Sequence, residues 1–479
     1  MCTGSLLLPV PAHAQDVVWD PPVRLTAEGS LVQFSAVVVD LEGGVHVFWS
    51  YTADSGMPAN LLFHTYRTGE AWSEATDLFV GESWDIFARP AVACDRNNRL
   101  HLVWRGSQEL FYSSVDAEET HNPRSWQKPL RLVQASYLST SALVATPDGT
   151  LHVLYSQSQA GTNVMYLSSG DGGASWSNGE AISAIAPSDP QAPDSVSLAL
   201  DSHGVLHAAW HESYPPDWLG RQILYTQSLD GGRTWALPTS LTELSAGAVW
   251  NALPNVVADA RDNLFVMWAC GESVGRCVQK SVDGGASWGG AARLFGALLG
   301  AGGRDAMAPD PHGNLFWVGA LRYPQALYWS SMKNGGWRDP PGLLVSEGQS
   351  PGLASAHFPQ LALSEGNQLH LILVEANAGP LWYIHGLTPY SRVETDAADR
   401  PTAEPTPWAT ATDTARPVAP GTTASGTGEP PAPSATSTVP PQLGRETGTP
   451  TRHDPLLWST LAAIAALSAA VFAYRRWRR

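Results

Sequence analysis

The strongest constraint on this 479-residue chain is a repeat. A strand of the form Leu-His-Val-x-Trp appears as Val45-His46-Val47-Phe48-Trp49, Leu100-His101-Leu102-Val103-Trp104, Leu151-His152-Val153-Leu154-Tyr155 and Leu206-His207-Ala208-Ala209-Trp210. It returns in altered form at Leu264-Phe265-Val266-Met267-Trp268, Leu315-Phe316-Trp317 and Leu369-His370-Leu371, and equivalent positions lie 51 to 58 residues apart. A turn such as Glu42-Gly43-Gly44 or Pro147-Asp148-Gly149 precedes each copy, and another apolar strand precedes the turn. One such unit cannot bury both its faces, so the units must pack on one another.

A second marker keeps the same period. Trp72, Trp126, Trp176, Trp235, Trp288 and Trp337 follow one another at steps of 49 to 59. Six tryptophans against seven strands leave one repeat short. The missing piece stands at the front: Trp19-Asp20-Pro21-Pro22-Val23-Arg24-Leu25 is similar to Trp337-Arg338-Asp339-Pro340-Pro341-Gly342-Leu343. The first strand is therefore expected to complete the last repeat, ending Leu381-Trp382-Tyr383, and to close a ring. An all-β, seven-bladed propeller over residues 17–388 follows, with six blades as the alternative count.

Three of the tryptophans end a longer motif. Ser169-Gly170-Asp171-Gly172-Gly173-Ala174-Ser175-Trp176, Ser228-Leu229-Asp230-Gly231-Gly232-Arg233-Thr234-Trp235 and Ser281-Val282-Asp283-Gly284-Gly285-Ala286-Ser287-Trp288 resemble the Asp-box, or bacterial neuraminidase repeat. The body is thus similar to the sialidase-type propeller superfamily. That resemblance implies peripheral, structural roles for Asp171, Asp230 and Asp283. It also implies what an enzyme of the family would need: three arginines for a substrate carboxylate, a Tyr–Glu nucleophile pair and an acid/base Asp. The family's first arginine sits in a Phe/Tyr-Arg-Ile/Leu-Pro motif, whereas here Phe87-Ala88-Arg89-Pro90 carries it one place late. Strand alternation then turns Arg89 to the other side from the family's residue. Only Arg304 joins it at the start of an inner strand, so the catalytic set is incomplete.

Candidate ligand contacts lie on the loops of the pocket face. The segment His211-Glu212-Ser213-Tyr214-Pro215-Pro216-Asp217-Trp218-Leu219-Gly220-Arg221 reads as the longest, and combines aromatics, carboxylates and an arginine. Trp84, Asp85, Arg89, Trp250, Arg304 and Arg322 are expected on the same face. The repeated histidines His46, His101, His152, His207 and His370 lie on different blades, too dispersed to share a metal. No metal or other cofactor is expected.

The ends say where the body lives. An apolar run, Leu6 to Pro11, followed by Ala12-His13-Ala14 reads as an export signal over 1–14, truncated at its start because the basic segment is missing. Residues 390–454 are rich in Pro, Thr and Ser and read as a disordered stalk. Residues 455–474 form an apolar run long enough to span a bilayer, and four of the last five residues, 475–479, are arginines that favour the cytoplasm. The expected location is the cell membrane, with a single pass and the body outside. Cys270 and Cys277 flank a short loop and suit a disulfide there, while Cys94 reads as a buried free thiol. With a net charge of -16, nucleic acid is excluded as a partner. A monomer is expected that binds an extracellular glycan or protein ligand without catalysis. The alternatives are a divergent exo-sialidase or related glycoside hydrolase, and a structural or adhesion protein of the same build.

Overall fold

A computed structural model describes residues 17–389, apart from 53–59, 70, 82–86, 245–248, 297, 323–324 and 377. The expected segments 1–14, 390–454, 455–474 and 475–479, and the candidates Trp84 and Asp85, lie outside the described residues. No described helix is long and apolar enough to cross a membrane.

The strands form seven antiparallel sheets, one per repeat. Blade 1 is built on Val32–Val39, Val45–Tyr51 and Leu61–Thr68. Blades 2, 3 and 4 have innermost strands Ala88–Cys94, Leu138–Ala145 and Ala192–Leu200. Blades 5, 6 and 7 begin with Trp250–Ala258, Ala306–Pro309 and His357–Ser364. The Leu-His-Val-x-Trp segments are the second strands, buried on both faces, with Trp49, Trp104, Trp210 and Trp317 among the largest fully buried side chains. That position explains their unbroken apolar character.

The ring closes with strands from both ends of the chain. Val18 and Trp19 pair with Leu387 and Gly386, and Val23 and Arg24 pair with Tyr383 and Trp382. The Trp19 ring meets Trp329 edge-on at 6.3 Å, and Asp20 reaches His385 at 2.7 Å. Blade 7 thereby gains the outer strand its own repeat lacks.

The seams between blades show what the repeated residues do. Each second-strand histidine spans its blade: His101, His152 and His207 place Nδ1 at 2.9, 2.6 and 2.8 Å from the hydroxyls of Tyr112, Tyr166 and Tyr225. Nε2 of His46, His101 and His207 faces a turn carboxylate, Asp40, Asp95 and Asp201. The tyrosines then cross to the next blade, where Tyr112 and Tyr166 donate to the carbonyls of Gly172 and Gly231. Trp176, Trp235 and Trp288 pack edge-on against those same three rings at 5.0, 5.3 and 4.8 Å.

Within the Asp-Gly-Gly turns, Asp171 accepts from the Ser175 N–H and from both the Ser169 and Ser175 hydroxyls; Asp230 and Asp283 repeat the pattern with Thr234 and Ser287. The hydroxyls of Ser175, Thr234 and Ser287 hold these carboxyls down at about 2. Gly173, Gly232 and Gly285 adopt φ of 93°, 85° and 88° beneath the tyrosine hydroxyls, a conformation that favours glycine. Cys270 and Cys277 are joined as a disulfide, and Cys94 is free and half-buried.

Candidate functional site

The seven innermost strands converge on one cavity. Each inner hairpin carries an equivalent pair at or next to its turn: Val39 with Val45, Cys94 with Leu100, Ala145 with Leu151, Leu200 with Leu206, Ala258 with Leu264, Pro309 with Leu315 and Leu363 with Leu369. Five residues upstream of that pair stand Phe34, Arg89, Thr140, Ser195, Leu253, Arg304 and Phe358. All seven line a cavity of about 270 Å³. Each blade thus contributes one equivalent residue, and the seven are chemically mixed.

A local backbone irregularity delivers them. In six of the blades the pairing register breaks beside this position, at Val32/Phe34, Ala88/Ala91, Leu138/Ser141, Asp194/Ser197, Ala252/Asn255 and His357/Gln360. Arg89, Ser195, Leu253 and Phe358 have φ of 52°, 55°, 60° and 52°. These are β-bulges, in which an extra residue re-aims a side chain. A proline follows in Arg89-Pro90, Leu253-Pro254 and Phe358-Pro359, where no ladder N–H is needed. The bulge corrects the alternation argument: Arg89 is turned into the cavity.

The electrostatics of this ring are unbalanced. Arg89 has no hydrogen-bond or ion-pair partner among the described residues, and its Nε is buried and unpaired. Its guanidinium lies 4.3 Å from the centre of the Phe34 ring, which itself packs on Phe358 at 5.2 Å. Burial lowers the Arg89 pKa, and burial followed by repulsion from Arg89 brings Arg304 and Arg105 to about 10. Arg304 donates to the Val196 carbonyl at 2.9 Å and Arg105 to that of Leu138 at 2.8 Å.

Asp194 lies within the field of these arginines, but its oxygens are already taken. They accept from the Ser139 hydroxyl at 2.7 Å, the Ser158 hydroxyl at 2.9 Å and the Ser195 N–H at 2.6 Å. Burial pushes this carboxyl up, and the proximity of His211 and Arg89 together with the donors outweighs it, leaving a net lowering. Burial drives His211 down to about 4, so the imidazole is neutral at physiological pH. Among the described residues, three guanidiniums therefore lie in the field of one carboxylate, Asp194. An excess of cation away from bulk water is costly unless an anion joins it.

The other sequence candidates separate. His211 and Glu212 belong to the second strand of blade 4, Leu206–Tyr214, and are buried, which corrects their expected place on an open loop. Pairing with Leu219–Ser228 carries the strand on to Tyr214, and the hairpin turn shrinks to residues 215–218. Tyr214 donates to Glu212 Oε2 at 3.1 Å, yet neither residue lines the axial cavity. Burial and the Glu212 charge raise the Tyr214 pKa, opposite to what a nucleophile requires. Arg221 pairs with Asp217 at 2.9 Å, Trp250 is a half-buried strand residue, and Arg322 is exposed beside His357 at 3.3 Å. Asp305, next to Arg304 in the chain, is held by Arg276 of blade 5 and by Trp317 Nε1.

Sequence reasoning missed Arg105, Arg276 and the role of Asp194; the recurring residue-Pro step at the bulges was the signal available. A second cavity, about 340 Å³, lies between blades 7 and 1, where the Asp-Gly-Gly turn is absent. Its guanidinium, Arg67, already donates to the Gly69 carbonyl and the Tyr383 hydroxyl.

No protein-family model and no curated protein sequence matches this chain. Solved structures do. A polysaccharide lyase of a new family, an ulvan lyase bound to -[GlcA(1-4)Rha3S]-, aligns at TM-score 0.57 and 10% identity over 76% of this chain and 96% of that one. Polysaccharide lyase Uly1 aligns at 0.56 and 11% over 78% and 100%. Trypanosoma rangeli sialidase aligns more loosely, at 0.42 and 12%, over 74% and 55%. At such identities the likeness shows the fold alone, a β-propeller, whose seven blades are those of the sheets described above.

Proposed function

We propose that this propeller recognises an extracellular glycan bearing a carboxylate or sulfate, seats that group in the axial cavity, and does not cleave it. The observation that carries the reading is Arg89, whose buried Nε has no partner among the described residues and which shares one cavity with Arg304. A planar guanidinium offers paired donors to a carboxylate or sulfate, and the Phe34 ring behind it fixes its plane. The ulvan lyase, whose bound oligosaccharide alternates a uronate with a sulfated sugar, supports the same ligand class. Against cleavage stand the buried His211 and Glu212, the raised Tyr214 hydroxyl, and Asp194 committed to serines. The alternative, a divergent exo-sialidase or related hydrolase, would have to draw its nucleophile from elsewhere.

On this reading the export signal delivers the body outside the cell, the 455–474 run anchors it, and the 390–454 segment sets its distance from the bilayer. The protein acts as a monomer. The test is to incubate the purified full chain with uronate-bearing, sulfated, sialylated and neutral oligosaccharides, following both retention and product formation. Retention of the anionic members alone, with every sugar recovered intact, is expected. Equal retention of neutral sugars, or turnover abolished by Arg89→Ala, would overturn the proposal. Protease shaving of intact cells, degrading the propeller and leaving the last residues, checks the orientation.

A further inference from the structure

We infer that the blade 4 hairpin carries a second subsite, a stacking platform for a sugar ring formed by Trp218; the inference rests on the anionic-glycan reading and gives the ligand its minimum length. The second strands of the blades differ in length. The second strand of blade 4 has nine residues, against seven in blades 1, 2, 3 and 7. At the level of the ring, Asp194 pairs with His211, and from there the strand climbs three more residues to Tyr214, about 10 Å at ~3.3 Å per residue. At its tip Trp218 is 47% exposed, while most of the chain's other tryptophans in the described ring are buried or half-buried.

The platform is held rigid. Trp218 has φ of 54°, an uncommon backbone for a bulky side chain, and its N–H donates to the Tyr214 carbonyl at 2.9 Å. On its far side Asp217 accepts from the Leu219 N–H at 3.2 Å and grips Arg221 Nη2 with both oxygens, at 3.0 and 2.9 Å. Asn251 of blade 5 then donates to the Arg221 carbonyl at 3.2 Å, tying the hairpin to its neighbour. With the backbone beneath it fixed in this way, the indole has only its own side-chain rotations left to lose when it is covered.

The chemistry of the two levels differs. The ring holds excess positive charge, whereas the hairpin tip presents an apolar face beside a neutralised Asp217–Arg221 pair. The lower level suits an acid group and the upper one the C–H face of a pyranose. A single acidic sugar seated at Arg89 leaves Trp218 untouched; a longer oligosaccharide covers both.

The experiment uses the full chain and heparin-derived di-, tetra- and hexasaccharides, which carry both uronate and sulfate, with affinities from calorimetry. Wild-type affinity is expected to rise about tenfold from the disaccharide to the tetrasaccharide. Trp218→Ala is expected to abolish that rise while leaving disaccharide affinity and thermal stability unchanged, and Trp218→Phe to restore most of it. A tetrasaccharide advantage that survives Trp218→Ala overturns the platform and leaves the axial site standing. Failure of every fragment to bind the wild type overturns the axial reading, and the platform with it.

Discussion

The rim and the axis of this propeller are built on opposite plans. At the rim, Asp171, Asp230 and Asp283 occupy equivalent turns and make the same bonds. The histidine–tyrosine pairs repeat from blade to blade, and the tyrosines seal one sheet to the next. At the axis, the seven equivalent positions hold two phenylalanines, two arginines, a threonine, a serine and a leucine. One of those arginines, Arg89, has a buried Nε with no partner among the described residues. Where every blade must do the same job the residues recur; where they diverge and leave charge uncompensated, the ring is shaped for something outside itself.

That contrast can be broken in graded ways. The largest effect belongs to closure. Deleting residues 17–25 removes the strands paired with Leu381–Leu387, and is expected to lower the melting temperature far more than deleting 390–454. Equal melting temperatures in calorimetry would contradict the closed ring.

Next comes the rim. A Cβ on Gly232 would fall 1.8 Å from the Tyr166 hydroxyl at a φ of +85°. Gly232→Ala should cost about 3 kcal/mol in denaturant unfolding and leave ligand affinity of the folded fraction unaltered. Arg89→Ala should do the reverse: binding of the sulfated tetrasaccharide falls about a hundredfold, the order of loss for a buried charged contact, while stability holds or rises slightly. If the two substitutions damaged stability and binding alike, the division between rim and axis would be wrong.

A last test varies pH. Burial depresses His152 and His211 to about 4 and His370 to about 3, against 6.5 in the unfolded chain. As pH falls below 6.5 the unfolded state takes up these protons first, so stability is lost between about pH 6.5 and 3 and is flat with respect to these groups above 7. Two of the three lie at the rim and one at the axis. Melting curves of His211→Gln should keep most of the acid slope, and a slope that vanished with His211 alone would refute the partition.

The repeat made much of the fold readable. Seven strand markers, the Trp19–Leu25 echo of Trp337–Leu343 and the Cys270–Cys277 spacing all depend on local pattern, which a sequence displays directly. The site was readable only in part. Arg89 and Arg304 stand out as charges at the start of inner strands, but the direction of Arg89 depends on a bulge that resets alternation. His211 and Glu212 look like loop residues until Leu219–Ser228 pairs alongside them and extends the strand. Arg276 and Asp305 are 29 residues apart and meet only because adjacent blades pack side by side. Such pairings depend on tertiary register, which no local pattern encodes.

The closure of blade 7 also has a mechanical side. The last strand, Leu381–Leu387, is an interior one, laced to Gln368–Val374 on one edge and to the N-terminal strands on the other. A pull on the chain beyond Thr388 enters the ring through a strand gripped along both sides, so two ladders must give way before the propeller opens. A chain joined to an edge strand would peel it off one rung at a time; this attachment makes the last strand of the domain one of its best secured.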